Sequence, residues 1–222
     1  MTDTTRKTIT IHTPGGSTVL WSGEQDRLQE AFDLFRAAGT SCRELNLFGF
    51  DLRGLNLGGL DLSGSGFYQA RCSGTDFSGS RLTGTDFTFA DLTFATLDQC
   101  DLTGALFNRA SLRGASLRGV TGVPVLDDIH RKVYEAARVD GALDMTRWHA
   151  CETTHCRAGW VNHLAGARGL EVMNEPNVVA HLIYLASDPE HFSGKDSEPL
   201  PDFYTNNDEA LRDMARLAGV GA

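Results

Sequence analysis

Large apolar residues return at every fifth position through the middle of the chain: Leu47, Leu52, Leu57, Leu62, Phe67, Phe77, Leu82, Phe87, Leu92, Leu97, Leu102, Phe107, Leu112 and Leu117. Cys72 fills the gap in that register, and a free cysteine packs as a small hydrophobe. A second series runs two residues before each large side chain. It opens bulky, with Leu45, Phe50, Leu55 and Leu60, then turns small, with Ser65, Ala70, Thr75, Ser80, Thr85, Ala90, Ala95, Cys100, Ala105, Ala110 and Ala115. A period of five matches neither the 3.6 of a helix nor the 2.0 of a strand, and both lose phase within two repeats. Held over fifteen repeats, it predicts a solenoid in which each pentad is one side of a stacked coil.

The flanks follow other periods. Residues 7–12 alternate, Pro14-Gly15-Gly16 turns, and residues 17–21 return, which predicts a β-hairpin. Residues 24–38 then predict an amphipathic helix with Leu28, Ala31, Phe32, Phe35 and Ala38 on one face and Gly39 as its stop. After Val120 the pentad ends at the turn Thr121-Gly122-Val123-Pro124. Helical patterns follow over about 126–138, from Thr153 or Thr154 to Leu164, over 176–186, and after Asn207, which is placed to cap a last helix carrying Leu211, Met214 and Leu217.

The units Ala90-Asp91-Leu92-Thr93-Phe94, Cys100-Asp101-Leu102-Thr103-Gly104 and Ala110-Ser111-Leu112-Arg113-Gly114 make about a third of the chain similar to the pentapeptide-repeat family. That resemblance implies a right-handed, four-sided β-helix with four pentapeptides per coil. The central Leu or Phe and the small residue two places earlier point inward, and Gly, Asp, Ser, Thr and Arg point out. The expected fold class is therefore mixed: a right-handed quadrilateral pentapeptide-repeat β-helix over residues 45–120, a hairpin-helix cap over 1–44, and an α-helical domain over 121–222. At the roughly 4.8 Å spacing of neighbouring strands, just under four coils stand about 18 Å tall. Such a short stack needs both ends closed, because open sheet edges pair with other chains. Repeat scaffolds host many roles, so the resemblance points to fold far more than to activity.

Composition narrows the classes. Hydrophobic residues make up 41% and charged residues 22%, ordinary for a soluble domain. The sequence has no apolar run of membrane-spanning length and no apolar signal core near its start, so a cytoplasmic protein with no membrane partner is expected. Five cysteines form no regular framework, which suits a reducing compartment. The net charge of −9 is unevenly placed: residues 45–120 carry seven acids and six bases, and residues 121–222 carry sixteen acids and nine bases. One branch of the family protects DNA gyrase by imitating DNA with an acidic rod; a nearly neutral coil weakens that reading here. Without a basic patch, nucleic acid is not an expected partner either. A protein or peptide partner is.

Candidate chemistry gathers in residues 148–163, where three of seven histidines, two of five cysteines and two of three tryptophans fall together with an arginine. A first reading makes Cys156 a nucleophile in the first turn of a helix, where the macrodipole favours a thiolate. His155, His149 or His163 would serve as base and Arg157 would hold an anionic group. Two helical turns separate Cys156 from His163, about 10.5 Å, so a substrate would have to bridge them. A second reading makes His149, Cys151, His155, Cys156 and His163 ligands of a transition metal such as zinc, although their spacing is not a standard zinc pattern. In a third, the tryptophans are core, the histidines meet buried partners and the cysteines are inert or paired. Elsewhere, Cys72 and Cys100 fall on inward positions, His181 lies in an apolar helix, and His130 and His191 are expected at the surface. Phe89 and Phe94, one repeat apart on an outer face, suggest a docking surface for the helical domain or a partner. The leading function is a scaffold or interaction protein whose C-terminal domain presents a Cys/His site. An enzyme using Cys156 or a bound metal comes second and a gyrase-directed protector third.

Overall fold

A computed structural model describes residues 8–12, 19–139, 142–145, 157–167, 176–194, 199–201 and 206–220. The chain forms two compact units, Met1–Gly122 and Val123–Ala222.

In the first unit, β1 (Thr8–His12) and β2 (Val19–Glu24) pair antiparallel, with the register slipping between Ile11 and His12. A single 3₁₀ turn, Gln25–Arg27, leads into α1 (Leu28–Ala38), which ends on Gly39 in the left-handed conformation. The coil then begins. Its parallel bridges join each residue to the one twenty positions on, as in Asn46 to Gly66, Gly66 to Asp86 and Asp86 to Leu106. Twenty residues per coil are four pentads, one to each side. The central residues Leu47 to Leu117 and Cys72 are buried, and so are most of the small series. Hydroxyls of that small series are tolerated inside because each finds a carbonyl. Thr75 Oγ1 donates to Leu52 O at 2.7 Å and Ser80 Oγ to Leu57 O at 2.8 Å, one coil below.

Each pentad turns through a residue at positive φ, two places after the central one, closed by a bond such as Phe50 N to Leu47 O at 3.1 Å. Glycine takes this conformation freely and other residues pay for it. Six of these corner positions are nevertheless not glycine: Glu44, Gln69, Phe89, Phe94, Gln99 and Arg109. At Gly122 (φ +84°) space as well as conformation requires glycine, because a Cβ there would lie 2.5 Å from Thr103 N. Gly122→Ala is therefore expected to destabilise the first unit by about 1–3 kcal/mol. An unchanged urea midpoint would show that the last turn has slack.

The first coil has no coil beneath it, and α1 supplies what is missing. Between full coils, Gly49 N donates to Tyr68 O and Asp76 N to Leu55 O. At the open edge the side chains of α1 and its approach make these bonds instead. Arg36 Nε donates to Gly58 O at 3.0 Å, Gln29 Oε1 accepts from Asn56 N at 2.7 Å, and Gln25 Nε2 donates to Asp51 O. Leu28, Ala31, Phe32 and Phe35 are buried on the same helix. One amphipathic helix thus satisfies an exposed sheet edge with its polar side chains and buries its apolar ones.

The second unit is helical: α2 (Ile129–Ala137), α3 (Arg157–Leu164), α4 (Pro176–Ser187), the short α5 (Pro189–Phe192) and α6 (Asn207–Leu217). α3 packs on α2 and α4, and α2 packs on α6. Their core holds Val133, Val161, Val179, Leu182, Ile183, Tyr184, Ala210 and Met214. The cap of α6 is Asn206, whose side chain accepts from Glu209 N, one residue before the position read from sequence. Asn207 instead ties down the segment 142–145: its Oδ1 accepts from Met145 N at 2.8 Å and its Nδ2 donates to Leu143 O at 3.0 Å. Asn capping is a local property, so two adjacent asparagines could not be told apart without the tertiary partner.

Candidate functional site

His149, Cys151, His155 and Cys156 lie outside the described residues. The segment holding them runs directly into α3, and α3 is firmly held. Its first residue, Arg157, is 1% exposed. The guanidinium donates through Nη1 to Asp213 Oδ2 and through Nε to the Tyr184 hydroxyl at 3.3 Å, with the Tyr184 ring 5.7 Å away. Asp213 also pairs with Arg216 at 2.9 Å. Arg157, read from sequence as a holder of an anionic substrate group, thus spends its charge on a carboxylate of the fold. Burial pushes the Asp213 carboxyl up, but the hydrogen bonds from Arg157 and Arg216 outweigh it and leave it below its usual range.

Trp160 is buried and its Nε1 donates to Ala142 O at 2.8 Å, the core role of the third reading. His163 is exposed and meets the edge of Trp160, ring centroids 5.7 Å apart. Among the described residues no group of three or more His, Cys, Asp or Glu could hold a metal ion. Cys42, Cys72 and Cys100 are free and buried. Burial pushes the Cys42 thiol up to about 11 and that of Cys100 to about 12, and it raises Cys72 as well. These three stay protonated and unreactive.

Sequence placed His130 and His191 at the surface; the structure packs both. His130 Nε2 lies 2.9 Å from Asp188 Oδ2, and its ring rests against Tyr184, His191 and Phe192. The other oxygen of Asp188 caps α5 by accepting from His191 N. The helical pattern of α2 showed Ile129 and Val133 as its apolar face but not that α4 and α5 would cover the next residue. Burial lowers the His130 pKa, Asp188 opposes that, and burial wins. A histidine held neutral in the fold gains its proton on unfolding, so stability is full above about pH 6.5, the unfolded value, and falls as pH drops through it. The expected slope is at most about 1.4 kcal/mol per pH unit. His130→Leu should flatten it between pH 7 and 5 in urea titrations; an equal slope in the variant would refute the assignment.

On the coil, a shallow groove of about 400 Å³ is lined by Arg43, Glu44, Ser63, Gly64, Arg81, Thr83 and Asp101. Its charges partly meet one another or neighbours: Arg43 reaches Asp61 at 3.5 Å and Thr83 donates to Asp101 at 2.9 Å.

A row of rings stands on another face. Phe48 stacks on Tyr68 at 5.7 Å, Tyr68 meets the edge of Phe89 at 5.5 Å, and the Arg109 guanidinium lies 5.4 Å from the Phe89 centroid. Sequence singled out Phe89 with Phe94, five residues apart. Five residues lead round a corner, however, and it is twenty residues that lead to the ring above. The signal for this row was a spacing of about one coil among outward aromatics, twenty residues from Phe48 to Tyr68 and twenty-one from Tyr68 to Phe89.

The pentapeptide-repeat family model matches residues 46–84 and 85–121, with eight copies. The coil belongs to the pentapeptide-repeat family. Membership implies a right-handed β-helix and supports, in general, a scaffold or interaction role. The chain is similar to solved structures of pentapeptide-repeat proteins. One, from the thylakoid lumen of Arabidopsis thaliana, is 22% identical, covering 44% of this chain and 79% of its own, with a TM-score of 0.30. HetL, from the cyanobacterium Nostoc sp. PCC 7120 and involved in heterocyst differentiation regulation, is 29% identical over 35% of this chain and 40% of its own, TM-score 0.22. Another pentapeptide-repeat protein from Nostoc is 31% identical over 40% of this chain and 74% of its own, TM-score 0.21. No curated protein matches the chain. Among the described residues no helix is long and apolar enough to cross a membrane.

Proposed function

We propose that the chain is an interaction scaffold in three parts. Residues 1–44 close one end of the pentapeptide-repeat coil, residues 45–120 form it, and residues 121–222 make a helical domain that presents a Cys/His-rich site. The observation that carries this reading is the crowding of residues 148–163 with His149, Cys151, His155, Cys156 and His163. The other three cysteines are buried in the first unit with raised pKa values. The anchoring of Arg157 by Asp213 and Tyr184 supports it, since a fixed helix start next to Cys156 gives the segment a rigid edge. The cysteines and histidines suit a transition metal such as zinc, or a reactive Cys156 thiol with His155 or His149 as base.

Native mass spectrometry of protein purified without added metal or chelator tests this. A metal-sized increment, lost in Cys151→Ser and in Cys156→Ser, supports the site. So does metal-free protein in which Cys156 alkylates faster than the same thiol in denaturant. Metal-free protein with a slow Cys156 thiol would sink the proposal.

A further inference from the structure

The face that carries the ring row differs in charge from the one beside it. Its pentad sides, 46–49, 66–69, 86–89 and 106–109, each with one inward central residue, hold Asp86 and Arg109 as their only charged residues, whereas the adjoining sides 51–54, 71–74, 91–94 and 111–114 hold Asp51, Arg53, Arg71, Asp91 and Arg113. Phe48 is 55% exposed and Phe89 42%. The backbone spends strain here. Of the six non-glycine residues at positive φ on the coil's corners, Gln69, Phe89 and Arg109 stand one above another at the corner of this face. Each costs about 1–2 kcal/mol relative to an unstrained backbone, and a fold accepts such a cost where the side chain is needed.

The geometry sets the size and shape of what fits. Four coils at roughly 4.8 Å give a face about 19 Å tall, and three residues at roughly 3.3 Å make it about 10 Å wide. That is roughly 200 Å², against the ~800 Å² per partner of a standard stable interface. A second copy of the chain or a folded domain would find too little here, while a slender neutral segment would not. Phe48 and Phe89 stand two coils apart along the axis, roughly 9.6 Å by the strand spacing, and one position apart across the face. One turn of a polyproline II helix is about 9.3 Å. Successive proline ridges of such a segment, lying slightly aslant the coil axis, would meet Phe48 and Phe89. The Tyr68 hydroxyl and the Gln69 amide, at neighbouring positions between them, are placed to donate to its solvated carbonyls.

We propose that this face binds an uncharged, proline-rich peptide segment in the polyproline II conformation, laid along the Phe48–Tyr68–Phe89 row. The inference deepens the scaffold reading and rests on its interaction role, independently of the Cys/His segment.

The test is an NMR titration of the full chain with a capped nine-residue peptide of repeating Pro-Pro-Ala, about 28 Å long in that conformation. A Gly-Ser-Ala peptide of equal length is the control. Saturable amide shifts confined to residues at and beside 48, 68, 69, 89 and 109, absent with the control, are expected. Phe89→Gly relieves the positive φ, so its melting temperature should stay within a few degrees of the parent while binding weakens about tenfold. Tyr68→Phe, which keeps the ring and loses the hydroxyl, should weaken it less. The proposal is overturned by an absence of saturable shifts, by equal shifts with the control, by shifts that depend on protein concentration without peptide, or by undiminished binding in Phe89→Gly. None of these variants touches residues 148–163, so native mass spectrometry reports on the Cys/His site separately.

Discussion

Phe87→Ala lowers the stability of the coil by about 3–5 kcal/mol, the range for truncating a buried phenylalanine. The ring is completely buried. It lies between Phe67 at 4.7 Å and Phe107 at 5.3 Å, in parallel stacks, and meets the edge of Phe77 at 5.7 Å. What places the cost in the upper part of the range is that the cavity cannot close. Asp86 is bridged to Gly66 on one side and Leu106 on the other, so the backbone around the hole is held from above and below. Residual cavity volume is what separates mild from severe truncations. Phe87→Leu, which installs the side chain found at the equivalent inward position 92, should cost clearly less. Chemical denaturation of the two variants checks this; a loss below about 1 kcal/mol for the alanine would mean that the coil collapses onto the gap.

Asp213→Ala destabilises the helical unit by about 2–3 kcal/mol. Its removal leaves the Arg157 guanidinium, 1% exposed, charged and buried, with the Tyr184 hydroxyl and ring as its only remaining partners among the described residues. Breaking a buried pair from one side commonly costs about 3–5 kcal/mol. Asp213 is itself 34% exposed, so water screens part of the interaction and the lower figure applies. The double variant Arg157→Met, Asp213→Leu should recover most of the loss, because neither charge then needs a partner. If it is no more stable than Asp213→Ala, the pair acts through shape and not through charge. Acid separates this pair from His130. The Asp213 carboxyl is held below its usual range, so its stabilisation is present above the unfolded value of about 3.9 and is lost as pH falls through the folded one. The His130 contribution begins to fall near pH 6.5.

The coil was legible residue by residue because its period is a property of one strand and its turn, repeated. Leu47, Leu52 and Leu57 must share an inside whatever the rest of the chain does, and the inward cysteines at 72 and 100 follow from register alone. The edge of α1 was legible only in part. Leu28, Ala31, Phe32 and Phe35 announced a buried face, but nothing in residues 25–36 said that Gln25, Gln29 and Arg36 would stand in for the backbone of a missing coil. The Phe48–Tyr68–Phe89 row is not legible along the chain, because its members are neighbours in space and about one coil apart in sequence.

The candidate site divides the same way. Crowding of Cys and His in residues 148–163 is a fact of composition that any reader of the chain can see. The employment of Arg157 is not, since Asp213 lies 56 residues further on and no local pattern marks it. Sequence by itself determined the solenoid, its inward residues, its length and its near-neutral charge, because short-range repetition and sterics suffice for each. Tertiary structure alone decided which buried charges met partners, that His130 and His191 left the surface, and which outward aromatics lined up. Those outcomes depend on which distant segments close over a residue, and the free energy that selects them is spread across the whole packed unit.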